Sequence, residues 1–81
     1  MNLVDFTKFL VESLVKNPED VSVKEFPTDD DTILIEVLVS EDEVSSIIGK
    51  GGKIANAIRT LVQASSFMDN NKKVKINIDS F

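Results

Sequence analysis

Ile47-Ile48-Gly49-Lys50-Gly51-Gly52-Lys53-Ile54 gathers the three glycines of the chain and two lysines between apolar residues at helical spacing. A glycine that closes one helix takes a positive φ without steric penalty. A glycine that opens the next is expected to let another backbone come close. Amides at a helix start are unpaired and sit at the positive end of the helix dipole, so such a turn suits an anion. With Lys50 and Lys53 alongside, the anion indicated is a phosphate. A P-loop would need G-x-x-x-x-G-K-[ST], which this stretch does not supply. A dinucleotide fingerprint needs G-x-G-x-x-G after a strand; here Ile54 holds the third glycine position and a helical pattern precedes the loop. What remains is G-x-x-G between two helices, either a phosphate-binding turn or a glycine turn without a ligand.

The charge distribution favours the phosphate. The net charge of −5 argues against a nucleic-acid partner taken alone. Residues 1–43 hold twelve acids and three bases, however, while residues 44–68 hold no acid and carry Lys50, Lys53 and Arg59. A local field decides where an anion docks. Eighty-one residues predict one small domain. No apolar run approaches the roughly 20 residues of a membrane span, and Asp5 and Lys8 interrupt any signal-peptide core. The absence of cysteine removes disulfides and thiolate metal sites and fits a cytoplasmic protein. There is no His, Cys, Tyr or Trp to act as base, nucleophile or acid, so no enzymatic activity is expected.

Around the loop, the pattern predicts the elements that must hold it. Asn2 to Lys16 reads as a helix, with Asn2 as its cap, Asp5 in the third position and Asn17-Pro18 as its stop. Its apolar residues cover more of its circumference than one face of a small sheet needs, and Phe6 and Phe9 are expected in the core. Val21–Phe26 is a short strand. Pro27–Asp31 is a solvated loop; its three adjacent aspartates lack the alternate spacing, glycine and distant glutamate of an EF-hand. Thr32–Val39 is the strongest strand, with Ile33, Ile35, Val37 and Val39 facing one way. Ser40-Glu41-Asp42-Glu43 has the form of a capping box, and Val39 and Val44 that of a hydrophobic staple, opening a helix from Glu41 to Gly49. A second helix runs from about Gly52 to Ser66. Ile54, Ile58, Leu61, Val62 and Ser65 form its apolar stripe; Asn56, Arg59, Thr60 and Gln63 are opposite, and Phe67 falls beside them. Lys73–Asp79 alternates as a strand. The order α-β-β-α-α-β, with a helical crossover between the last two strands, predicts a parallel pairing there. The expected fold is an α+β domain, three helices on one face of a three-stranded mixed sheet.

Strand, helix, G-x-x-G, helix, strand resembles the KH domain, and the preceding helix and strand make it similar to the type II form. Ile47-Ile48-Gly49-Lys50-Gly51-Gly52-Lys53 resembles the family signature I-I-G-x-x-G-[RK]. Length, the Asn-Pro helix stop and Ala57-Ile58-Arg59-Thr60-Leu61 resemble a group of small bacterial RNA-binding KH proteins that pair with a second KH protein. The resemblance implies single-stranded RNA gripped at the backbone by Ile48, Gly49, Lys50, Gly51, Gly52, Lys53 and Ile54, with Arg59 nearby. Bases would enter an aliphatic groove between the two helices and the strand Thr32–Val39. It also implies a homodimer or a heterodimer with a second KH protein. The implied role is an RNA chaperone or post-transcriptional regulator, linked to the cell envelope or division. No membrane, small-molecule substrate, cofactor or metal is implied. Two features modify this expectation. Gly51 contributes no side chain, and Pro27–Asp31, placed at the variable-loop position, brings three carboxylates. Both predict weak, salt-sensitive and poorly sequence-specific binding, and with no aromatic residue near the loop base stacking is not expected to dominate. The rival expectation is a protein-interaction module using the apolar excess of the first helix and the uncharged face of the long one, where Ala55, Asn56, Thr60, Gln63 and Phe67 allow close helix contact.

Overall fold

Four β-branched side chains at alternate positions, Ile33, Ile35, Val37 and Val39, are buried along one strand and build the core around it. The computed structural model describes residues 2–81. In chain order the elements are α1 (Leu3–Glu12), a 3₁₀ turn (Pro18–Asp20), β1 (Ser22–Phe26), β2 (Ile33–Val39), a 3₁₀ turn (Glu41–Glu43), α2 (Val44–Ile48), a 3₁₀ turn (Lys50–Gly52), α3 (Lys53–Asp69) and β3 (Val74–Ser80). The strand order is β1-β2-β3. β1 pairs antiparallel with β2 and β3 pairs parallel with it, with Ile33 opposite Val74 and Val39 opposite Ser80. The helical crossover that α2 and α3 provide is what a parallel neighbour requires. The α+β order and the mixed sheet are as the sequence predicts.

From the helices, Leu3 and Val11 of α1, Ile47 of α2, and Ile58 and Val62 of α3 pack on β2, and Ile76 joins them from β3. Asn2 caps α1, its side-chain oxygen accepting from the Asp5 amide at 2.8 Å. α1 ends at Glu12, short of the predicted Lys16: the Ser13 amide still reaches Phe9 O, the Leu14 amide tightens to Val11 O, and the amides of Lys16 and Asn17 are taken elsewhere. The buried Glu43 carboxylate accepts from the backbone N–H of Lys16 and of Asn17. The same bonds overturn the expected capping box. Ser40 makes no side-chain cap bond, Glu43 turns toward the chain after α1, and the first residues of the predicted helix form a 3₁₀ turn instead. Phe6 packs against the core, but Phe9 is exposed. With α3 beside it, α1 has no room to bury its whole circumference. α3 runs to Asp69, three residues beyond the expected Ser66. Ser66 is buried there, and its hydroxyl donates to the Lys72 carbonyl at 2.7 Å, tying the helix end to the approach of β3.

Candidate nucleic-acid interface

Gly49 ends α2 at φ 74°, ψ 172°, a region open essentially to glycine alone. A Cβ on Gly49 would lie 2.6 Å from Cγ1 of Ile54, so the first residues of α3 press directly on this position. Close approach was expected at the second helix-flanking glycine, Gly52; there a Cβ would meet nothing within 4 Å, and Gly52 is needed only for its left-handed φ of 77° as the residue before α3. Gly51 also turns left-handed, at φ 65° and ψ 18°, in open space. The Gly49 amide donates to Ser45 O at 2.9 Å and the Gly52 amide to Gly49 O at 3.1 Å; the Lys50 and Gly51 amides take no part in these two bonds. The result is a sharp turn between two helices, with the positive end of the α3 dipole at its exit and Lys50 exposed on it.

The eight residues expected to contact RNA do not all line one hollow. Ile48, Gly49 and Lys50 line an open hollow with Val44 and Ser45 of α2 and with Ile78, Asp79 and Ser80 of β3; Glu41 also borders it. Gly51 and Gly52 complete the turn beside it. Lys53 and Ile54 lie on a different groove, between α1 and α3, with Leu10, Leu14, Ala57 and Leu61. Arg59 lies on a third, with Thr60, Gln63, Ala64, Phe67 and Val74. The strand at the hollow is β3 and not Thr32–Val39. β2 is the central strand, and β3 is the edge strand that borders this hollow. Ile78, Asp79 and Ser80 therefore escape a reading that stops at the loop. The signal was available in the parallel crossover, which puts the last strand at the edge next to α2.

The acidic loop sits at the other end of β2. Asp30 organises it: Oδ1 accepts from the Thr32 amide at 2.8 Å and from the Thr28 hydroxyl at 3.2 Å. The bond from the Thr32 backbone, followed by the bonds from the side chains around it, holds the Asp30 carboxyl below the usual carboxylate range. Asp29 and Asp30 border a hollow shared with Lys73, Val74 and Lys75, away from the glycine turn. Among the described residues no group of three or more His, Cys, Asp or Glu is placed to hold a metal ion, and no helix is long and apolar enough to cross a membrane.

The model of the KhpA/KhpB KH-domain family matches residues 4–78. The chain belongs to that family. It is 40% identical over 74 residues to the RNA-binding protein KhpA of Clostridium perfringens, covering 91% of this chain and 96% of that one. It is 38% identical over 77 residues to the RNA-binding protein KhpA of Borreliella burgdorferi, covering 95% of this chain and 92% of that one. Among solved structures, the fold matches Era in complex with MgGDPNP and nucleotides 1506-1542 of 16S ribosomal RNA, with a TM-score of 0.69 at 19% identity. The match spans 96% of this chain and 29% of the Era chain, and it shows a common fold.

Proposed function

We propose that this KhpA/KhpB-family chain binds single-stranded RNA through the turn Gly49–Gly52 and acts as an RNA chaperone or post-transcriptional regulator. One observation carries the reading: a G-x-x-G turn between α2 and α3, all three glycines at positive φ, opens onto a hollow walled by α2 and the free side of β3. KH loops of this form clamp about four nucleotides by their backbone. In this reading Ile48, Gly49 and Lys50, which line the hollow, meet the strand, with Gly51, Gly52 and Lys53 at the turn and Ile54 supporting it from behind. The hollow contains no aromatic ring, so contact there is to backbone and to aliphatic surface. A salt titration of binding to a single-stranded oligouridine tests this. Each phosphate neutralised on a single strand contributes about −0.7 to the slope of log K against log salt. Lys50 and Lys53 at the turn together give an expected slope of about −1.4, and a flat dependence would contradict the proposal.

A second reading, self-association or pairing with a KhpB-like protein, is supported by the outer face of α1 and α3. Met68 is 89% exposed there and Leu61 50%, beside exposed Phe9 and Leu14. This is not the set expected from the sequence. Ala55 is buried, and Gln63 is occupied: its Nε2 donates to Lys72 O at 3.0 Å and its Oε1 accepts from Val74 N at 2.8 Å. Leu61→Glu is therefore the informative probe, and sedimentation should show it to be more monomeric than the unmodified chain.

A further inference from the structure

The hollow around Arg59 is a candidate in its own right. It measures about 450 Å³ and is walled by Arg59, Thr60, Gln63, Ala64, Phe67 and Val74. Phe67 is 49% exposed. One guanidinium N–H of Arg59 reaches the Asn56 side-chain oxygen at 3.2 Å, and the fork carries further donors. One N–H and one oxygen lone pair of the Gln63 amide are held by the backbone of Lys72 and Val74, which fixes it as part of the wall. Val74 and Ile78 alternate onto the same face of β3, four residues or about 13 Å apart. Ile78 borders the hollow of the glycine turn and Val74 borders this one, so the two lie along one strand. Residues 44–68, which supply the turn and most of this wall, contain no carboxylate.

We propose that this hollow is a further nucleotide subsite, in which a base of single-stranded RNA stacks on the Phe67 ring and Arg59 meets an adjacent phosphate. An aromatic face beside an arginine is the pairing that holds unstacked bases with little regard to sequence, because every base has a π-face. The Arg59 charge favours an anion over a neutral apolar helix as occupant, against the opposing field of Asp29 and Asp30 in the adjacent hollow that shares Gln63 and Val74. The inference rests on the RNA-binding reading of the glycine turn and extends the track beyond the nucleotides that turn would clamp.

The test measures fluorescence anisotropy at low salt with fluorescein-labelled oligouridines of two lengths, about four nucleotides, the span of a KH loop, and about ten, within the range of extended single-strand sites. Phe67→Leu is expected to weaken binding of the longer oligomer on the order of tenfold and to leave the shorter one unchanged. Lys50→Asp is expected to weaken both. Phe67→Trp is expected to preserve affinity; since the chain has no tryptophan, its indole emission reports directly and should change with the longer oligomer alone. Equal affinities for Phe67→Leu and the unmodified chain at both lengths, with Lys50→Asp still defective, would overturn the subsite and leave the turn reading standing. Unchanged binding in Lys50→Asp would overturn the turn reading itself. Unchanged RNA binding with a shift to monomer in sedimentation of Phe67→Leu would assign the hollow to a protein interface and overturn the subsite.

Discussion

The two ends of β2 carry the two most conspicuous turns of the chain, and they are built by opposite means. The glycine turn after α2 depends on backbone conformations that side chains disfavour and on Ile54 packed where the Gly49 Cβ would be. The acidic turn before β2 depends on side chains, with Thr28 and Asp30 bonding to each other and to Thr32, and every residue from Pro27 to Asp31 exposed. Steric contact fixes the first turn at Gly49, while a turn held by exposed hydrogen bonds tolerates replacement. The first kind suits a site and the second suits a modulator of charge.

The largest effect that separates them is steric. Gly49→Ala should cost about 3 kcal/mol or more, combining a glycine-only conformation with an overlap against Ile54. Gly51→Ala, left-handed but in open space, should cost only about 1–2 kcal/mol. Urea unfolding of the pair measures the difference, and equal midpoints would break the steric account of the turn. Next comes the buried carboxylate at the glycine end. Glu43→Ala leaves the Lys16 and Asn17 amides without their acceptor and should cost about 1–3 kcal/mol. Any exposed aspartate of the acidic turn other than Asp30 should instead change stability by no more than about 0.5 kcal/mol.

Smaller still is the electrostatic contrast. Replacing Asp29, Asp30 and Asp31 by Asn should raise RNA affinity at low salt, more for long oligomers than for short ones, because Asp29 and Asp30 share a hollow with Lys73 and Val74 and not with the glycine turn. The gain should fade once the Debye length falls below roughly 10 Å. An equal gain at high salt would show that the loop acts through structure. The smallest effect is the titration of Asp30. Its folded pKa lies below its unfolded one, so it stabilises the fold above the unfolded value, and that contribution is lost as pH falls through the folded value. A carboxyl-detected NMR titration should show Asp30 titrating at lower pH in the unmodified chain than in Thr28→Val.

Much of this was legible in the residue pattern. The alternation of Ile33 to Val39, the glycines, the caps at Asn2 and Gly49 and the crossover all encode local geometry, and the sheet follows from them. What escaped is what depends on partners distant in sequence. Glu43 sits three residues after Ser40, where a capping box would use it, yet it serves Lys16 and Asn17. Phe9 has the hydrophobicity of a core residue, but α3 occupies the neighbouring side of α1 and leaves Phe9 outside. Lys50, Lys53 and Arg59 are close in sequence, but the left-handed turn and the rotation along α3 set them beside three different hollows. Proximity in the chain located the turn correctly and the groove only in part.

The central claim is that RNA is gripped at Gly49–Gly52, and it is tested most directly by Lys50→Asp combined with Gly51→Asp. Both positions are exposed, and neither touches the contact between Gly49 and Ile54. The Gly51 change should cost about 1–2 kcal/mol for its left-handed φ, with aspartate among the residues that best tolerate that region. Circular dichroism should therefore still report the folded domain, with a lowered midpoint. Two carboxylates then stand where a phosphate must sit, and anisotropy with single-stranded RNA at low salt should show affinity falling on the order of tenfold for each contact worth about 1.4 kcal/mol. Undiminished RNA binding by the folded double variant would contradict the account.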